Sequence, residues 1–374
     1  MSHSIKKICF ILTALIAVLF VILYFVKLNT AHYTINYFND TMKVNAMSLY
    51  HNNHYYYVDK DNSIYELSSD NENKCLTKEK HISGICALNN YIYYIAHENL
   101  FRYDIETEHT ELLDDNYGYR YLSSDNNSVY ALRYINANFT DYRLLRITDN
   151  ETYEFIPDDN NADNVITVLP QDEDIKYICN NTPFRSFCGI ANKNNSIVFR
   201  SNGKEEKNLL YFSNDKIIVS DEKFKDQELL SYNKDGTLEN TINIPEKYSC
   251  IPQNIYCDNT NIYMLLQSQD GYNFIGYYNL PQRRHKTDAV VKYDTEKGIF
   301  EFIYETRSKY ERIVGYKDGF IICLRNNRLY HIDPNTREKE KSEKINISNA
   351  VFEICGNKIF VWDDNKFYNA YDMN

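Results

Sequence analysis

The sequence predicts an all-β chain: a β-propeller of seven or eight four-stranded blades, preceded by one N-terminal transmembrane helix. Three observations carry that reading. Residues 8–26 form an uninterrupted uncharged run, a strand-and-turn phrase recurs roughly every 40 residues, and the rest of the chain shows no amphipathic helical pattern.

The N-terminal run comes first. Lys6 and Lys7 precede it and Lys27 follows it. About 20 residues at about 1.5 Å each span a hydrocarbon layer as a helix. The run is longer than the apolar region of a signal peptide, ends in Leu23-Tyr24-Phe25-Val26, and is followed by no A-x-A pattern, so an uncleaved anchor is expected. Cys9 stands at the start of the run, the wrong end for a lipid-accepting cysteine. The paired lysines place the N-terminus inside. The expected organisation is a cytoplasmic tail at 1–7, an anchor at 8–26, a linker at 27–44 that includes a ring-closing strand, and the propeller at 45–374. The protein is then a single-pass protein of the cell membrane with its propeller outside, and the membrane is one of its partners through residues 8–26.

Composition narrows the rest. The formal net charge is −11, and setting aside the three anchor lysines leaves −14 for the outer part. An acidic surface without a basic stripe repels phosphate backbones, so no nucleic-acid partner is expected. Glycine (11) and proline (7) are scarce, against flexible linkers and glycine-lined phosphate loops. Tyrosine (35) is abundant and suits half-buried strands. Outside the anchor lie Cys75, Cys86, Cys179, Cys188, Cys250, Cys257, Cys323 and Cys355. Neighbours suggest the pairs 75/86, 179/188, 250/257 and 323/355, whereas Cys86, Cys323 and Cys355 sit in apolar runs where a free thiol is a small hydrophobe. No C-x-x-C pattern points to zinc.

The repeat follows. Turn pairs Asn52-Asn53, Asn89-Asn90, Asn126-Asn127, Asp318-Gly319 and Gly356-Asn357 tolerate positive φ and suit tight hairpins. Each precedes a short strand such as Tyr55-Tyr56-Tyr57-Val58, Tyr91-Ile92-Tyr93-Tyr94, Phe320-Ile321-Ile322-Cys323 or Lys358-Ile359-Phe360-Val361. The steps from 54 to 91 and from 91 to 128 are both 37 residues, the mark of a duplicated unit. Second strands fall near 54, 91, 128, 175, 216, 262, 320 and 358; the unit around 165–188 is the weakest, hence seven or eight blades. Asp104, Asn233, Asp294 and Asp333 recur in the next hairpin turn, where a side-chain oxygen closes the turn without glycine. The last unit ends one strand short, and the segment Tyr33-Thr34-Ile35-Asn36-Tyr37-Phe38 is expected to complete its outer edge.

These blades resemble the membrane-anchored bacterial β-propellers related to the low-density-lipoprotein-receptor type, whose blades carry a Tyr-Trp-Thr-Asp strand. Tyr56-Tyr57-Val58-Asp59 is the nearest match and Tyr93-Tyr94-Ile95-Ala96 a weaker one; the Trp and Thr are replaced, and the sole tryptophan, Trp362, lies elsewhere. The resemblance implies a fold and outward display, and no substrate.

Templates for chemistry fail. There is no G-x-S-x-G, H-E-x-x-H, Walker or dinucleotide pattern, so no catalytic residue, metal site or cofactor is assigned. Asp59-Lys60-Asp61-Asn62-Ser63 opens like a calcium loop, but Ile64 stands where glycine is needed and Glu66 comes too early, so it reads as a turn. Asp158-Asp159 and Asp172-Glu173-Asp174 read as solvated loops, and the histidines are scattered. The most distinctive local feature is the stretch 267–288, with Tyr272, Phe274, Tyr277 and Tyr278 followed by Arg283-Arg284-His285-Lys286. Aromatic faces can stack on sugars or side chains and arginines can fork onto carboxylate or phosphate, so these residues are the expected binding site. The function expected is a binding or scaffolding module for a protein or a cell-envelope glycan. The alternatives are a hydrolase or lyase acting on envelope polymers, and a ligand sensor working through a membrane partner.

Overall fold

A computed structural model of the chain describes residues 13–20, 32–37 and 45–373, apart from loop segments of which the longest are 135–141, 156–164, 201–206, 222–227 and 268–286. Among the described residues, strands form eight four-stranded sheets. Seven are consecutive antiparallel runs: sheet 1 over 48–77, sheet 2 over 82–114, sheet 3 over 119–155, sheet 4 over 165–200, sheet 5 over 207–243, sheet 6 over 254–305 and sheet 7 over 311–344. Sheet 8 takes three strands from 349–372 and a fourth, His32–Tyr37, from near the N-terminus. The weak unit is a sheet of its own, with strands Val165–Pro170, Ile175–Thr182, Arg185–Asn192 and Ile197–Arg200, so the count is eight.

Each sheet lies against the next and the eighth lies against the first, which closes a ring. The second strand of a sheet is therefore covered on both faces, and it reads as a continuous apolar run rather than an alternation. Ile92, Tyr93, Tyr94, Ile95 and Ala96 are all buried, as are Ile321, Ile322, Cys323 and Leu324 in sheet 7. The core is correspondingly divided into layers between neighbours: Tyr56, Ile85 and Tyr94 between sheets 1 and 2, Tyr93, Leu122 and Ala131 between sheets 2 and 3, and Ile218, Tyr248 and Ile262 between sheets 5 and 6.

The seam between sheets 8 and 1 is built from unlike parts. Trp362 packs with Tyr57 and Phe360, and its indole N–H donates to the Val58 carbonyl at 2.9 Å. The buried Glu353 carboxylate accepts from the Ser48 hydroxyl at 2.6 Å and the Ser48 backbone N–H at 3.0 Å. A buried carboxylate is tolerated only when such donors replace its water. Asp59 Oδ1 accepts the Phe367 N–H at 2.7 Å, so the first acid of the calcium-like run serves this seam.

The turns follow their chemistry. Asn52, Asn53 and Asn89 hold φ of 50, 66 and 52°. Asp104 Oδ1 accepts the N–H groups of Glu106 and Thr107, Asp294 those of Glu296 and Lys297, and Asp333 those of Asn335 and Thr336. These backbone donors, and Lys297 foremost for Asp294, hold the Asp104 and Asp294 carboxyls below the usual carboxylate range.

Two expectations need correction. The N-terminal strand pairs with the last sheet, but parallel to Asn349–Cys355 on the edge away from Lys366–Asp372, not on the outer edge. The reason lies just downstream: Asn45 and Ala46 are bonded to the first strands of sheets 3 and 2, so the chain reaches the ring along the first-strand side. Cys75, Cys86, Cys257, Cys323 and Cys355 are free thiols, so the pairs 75/86, 250/257 and 323/355 are not formed; Cys86, Cys323 and Cys355 are instead buried within the apolar layers, and burial pushes the Cys86 and Cys323 thiols up. Of the 8–26 run the described residues are 13–20, which are helical; no helix among the described residues is long and apolar enough to cross a membrane, and the rest of the run lies outside them.

Candidate functional site

Antiparallel order sends the second-to-third and fourth-to-first connections of every sheet to one end of the ring, and the first-to-second and third-to-fourth turns to the other. At the first of these ends, between sheets 2 and 3 and the segment entering sheet 1, lies an open cavity of about 1410 Å³. Four pieces of chain build it.

Two are β-bulges. In sheet 2 the pairing steps from Ile82↔Ala96 to Gly84↔Ile95, which leaves Ser83 outside the ladder. In sheet 3 it steps from Tyr119↔Arg133 to Tyr121↔Leu132, which leaves Arg120 outside. A bulge re-aims the extra residue, and both line the cavity. The third piece is the incoming segment. Asn45 Nδ2 donates to the Arg120 carbonyl at 2.8 Å, and its Oδ1 accepts the Leu122 N–H at 2.8 Å, so the bulged backbone of sheet 3 is satisfied by a side chain from the far end of the sequence. Gly84 makes this approach feasible, since a Cβ there would stand 2.5 Å from the Asn45 Cα.

The fourth piece is the turn between Tyr91–Ala96 and Asn99–Asp104. His97 and Glu98 occupy it at φ 50 and 64°, and His81, opposite across the sheet, has φ 59°. L-residues other than Asn and Asp rarely accept this conformation. Of the ten positive-φ non-glycine residues among those described, five are not Asn: His81, His97, Glu98, Glu108 and Arg337. Three of these five line the cavity.

The antiparallel pair Ile82↔Ala96 sets His81 beside His97, and their rings meet edge to face with centroids 5.1 Å apart. Glu98 is paired with Arg120 at 2.6 Å across the gap between sheets 2 and 3, and the Glu98 carbonyl accepts the Tyr119 N–H at 3.0 Å. Tyr117 is 72% exposed at the rim. Burial pushes the half-buried Tyr121 hydroxyl's pKa up, so it remains a donor at neutral pH. Tyr119 donates to Asp114 at 2.6 Å; burial alone raises the Asp114 carboxyl, but the bonds from Tyr119 and Asn116 and the Arg133 charge outweigh it and hold the carboxyl low. The Asn99 side-chain oxygen is buried without a partner. The lining thus offers aromatic faces, imidazoles and hydroxyl donors, and its one carboxylate among the described residues is ion-paired. Such a lining can stack against rings and exchange hydrogen bonds; no pair of carboxylates for acid-base work is among the described residues that line it.

The residues expected to bind, Tyr272, Phe274, Tyr277, Tyr278, Arg283 and Arg284, lie outside the described residues, as do Asp158-Asp159 and Asp172-Glu173-Asp174. Gln267 and Asp288, which flank the aromatic stretch, pair with each other in sheet 6. That connection joins a second to a third strand, as the His97-Glu98 turn does in sheet 2, so both leave the ring at the same end. His51 faces His54 across sheet 1, but at the opposite end of the ring; His51 donates to the Asn89 carbonyl and His54 meets Glu66 at 2.6 Å. No spacing in the sequence announces Asn45, Ser83, His81, His97 and Arg120 as a set. One signal was present: His97-Glu98 stands in a hairpin turn where Asn or Gly would be at ease.

No protein-family model and no curated protein matches the chain. Solved structures do. The chain is similar to BamB from Moraxella catarrhalis, at 9% identity and TM-score 0.53 over 87% of this chain and 95% of that one. It is similar to Saccharomyces cerevisiae Sqt1 at 8% identity and TM-score 0.55, over 92% and 98%. It also matches half of the dipeptidyl peptidase 4 of Porphyromonas gingivalis, at 11% identity and TM-score 0.54 over 81% of this chain and 50% of that one. BamB and Sqt1 are β-propeller proteins. At these identities the likeness shows the fold alone, and the fold is a β-propeller.

Proposed function

We propose that this β-propeller is held outside the cell membrane by its N-terminal anchor and binds a protein partner through the cavity on sheets 2 and 3. The observation that carries the reading is the cavity itself, where strained His97 and Glu98, the bulged Arg120 and the exposed Tyr117 are gathered on a stiff closed ring. Conformational strain persists where the surroundings over-determine it, and it clusters at sites of recognition and catalysis. A ring of sheets suits recognition because its loop ends are platforms on a rigid core. The lining favours recognition over hydrolysis or lysis of an envelope polymer, and a glycan remains the second class of ligand its tyrosines would suit.

The anchor is supported by the uncharged run 8–26 behind Lys6 and Lys7, and by exposure of the helix within it: Leu15, Ile16, Val18, Leu19 and Phe20 are all exposed and join no core layer. A ring displayed outside with its N-terminus inside is the proposed topology, and it is the topology the resemblance to membrane-anchored bacterial propellers implies.

A second reading, sensing through a membrane partner, is favoured by one observation. Asn45 is a wall of the cavity and lies on the segment that leads into sheet 1 from the strand His32–Tyr37, the first part of the ring that the chain from the anchor forms.

The test is site-specific photo-crosslinking in the native membrane, with the probe at Tyr117 or, as control, at Tyr50 on the opposite end of the ring. Capture of a discrete protein from Tyr117 and not from Tyr50 supports the cavity. Equal capture from both positions, or capture from neither, removes it. Repeating the Tyr117 experiment with Arg283/Arg284→Ala asks whether the 267–288 connection takes part.

A further inference from the structure

We infer that His81 and His97 form a two-histidine half-site for a borderline divalent transition-metal ion, with zinc as the probe, whose remaining positions are filled by water or by a donor from the bound partner. The last clause rests on the proposed recognition reading; the ion binding does not.

The geometry comes from the strand pairing. Ile82↔Ala96 is the last pair of an antiparallel ladder, so the residues just beyond it, His81 and His97, stand side by side, each held at positive φ. Their ring centroids are 5.1 Å apart at an interplanar angle of 78°. Zinc–imidazole bonds are about 2.0–2.1 Å, and a ring nitrogen lies about 1.1 Å from its ring centre, so each centroid sits about 3.2 Å from the ion. At a tetrahedral angle of about 109°, two such rings have centroids about 5.2 Å apart. The observed spacing is one that two imidazoles on a single tetrahedral ion can adopt, and it is also that of an ordinary edge-to-face ring contact, so binding has to be measured.

The surroundings set what else the ion would meet. Among the described residues that line the cavity, Glu98 and Arg120 are the charged groups, and at 2.6 Å they neutralise one another, so neither repels nor strongly attracts a cation while paired. Among the described residues no cluster of three His, Cys, Asp or Glu is present, so the protein supplies two ligands here. Two imidazoles alone hold an ion weakly, and an added donor from a partner tightens it, which makes the ion a bridge between this cavity and what it recognises.

The experiment uses the tag-free full chain in detergent, titrated calorimetrically with zinc chloride at neutral and at acidic pH. The variants are His81→Asn and His97→Asn. Asparagine tolerates positive φ, so the turn is kept while the imidazole is lost; matching thermal unfolding curves confirm the fold. The expected result is one ion per chain, at least tenfold weaker in either variant and weaker in acid, because protons compete with the ion for the imidazoles. Zinc affinity unchanged in both variants, or no zinc binding to the parent chain, overturns the half-site and leaves the two rings as an edge-to-face contact only. The calorimetry contains no partner and reports on the ion alone, whereas crosslinking from Tyr117 in the untreated membrane reports on recognition, so each idea can fail without the other.

Discussion

Two turns of this ring share a backbone and differ in composition. Asn52-Asn53 closes the first hairpin of sheet 1 at φ 50 and 66°, and His97-Glu98 closes the second hairpin of sheet 2 at φ 50 and 64°. The first pair is at ease there, and it is used up locally: Asn52 Nδ2 donates to the Asn89 carbonyl at 3.3 Å, and His51 reaches the same oxygen. Around that end of the ring the pattern continues, with Lys317 bonded to the Gly356 carbonyl and the Asn357 N–H donating to Tyr55 at 3.1 Å. One end of the ring is stitched turn to turn. The other end places less suitable residues in the same conformation and leaves their side chains facing a cavity. Turn chemistry that closes hydrogen bonds between neighbours thus separates from turn chemistry that leaves side chains facing a cavity.

The comparison is broken most directly at the two glycines beneath it. Gly84→Ala drives a Cβ against the Asn45 backbone and is expected to cost about 3 kcal/mol in urea denaturation, whereas Gly356→Ala meets the movable rings of Tyr50 and Tyr55 and is expected to cost about 1–2 kcal/mol. The reverse ranking would mean that the incoming segment is not seated on sheet 2.

Exchanging the turn residues sharpens the contrast. Asn52-Asn53→His-Glu is expected to destabilise by about 1–2 kcal/mol, and His97-Glu98→Asn-Gly to stabilise by about 1 kcal/mol while abolishing capture from Tyr117. Stability gained with capture intact would show that this turn has no part in recognition.

A smaller effect is expected from Glu98→Gln. Both partners of the Glu98–Arg120 pair are about two-fifths exposed, so the change in unfolding free energy should stay below about 1 kcal/mol and shrink further in high salt.

The smallest effect concerns pH. The Asp104 and Asp294 carboxyls are held below their ordinary range, so folding is favoured above the unfolded value of about 3.9 and that contribution fades as pH falls through the lowered folded values. Carboxyl-carbon titration by NMR should place both below free aspartate; values at or above it would mean that the turn bonds are not kept in solution.

Much of the ring was legible because its signals are local. Asp104, Asn233, Asp294 and Asp333 announce their turns within a few residues, and the second strands stand out because they are covered on both faces. The unit at 165–200 was faint because its first-to-second connection reads Gln171-Asp172-Glu173-Asp174, where other units carry an Asn or Gly pair. The inner pairing of His32–Tyr37 was not legible, since it depends on where Asn45 and Ala46 dock, more than 35 residues in sequence from their partners on sheets 2 and 3. The cavity was hidden for a similar reason: a bulge has no compositional mark, and Ser83 and Arg120 look like any other residue of a strand. The density of aromatic and basic residues at 272–286 drew attention instead, and the topology of sheet 6 shows only that this connection leaves the ring at the cavity's end.

Ser83 and Arg120 share a position with Ile166: each is the second residue of the first strand of its sheet, and each is skipped by the pairing ladder. A residue outside the ladder can be replaced without altering the register of its neighbours. At Ser83 and Arg120, which line the cavity, sequence change can therefore alter the chemistry of that surface while the scaffold beneath stays the same.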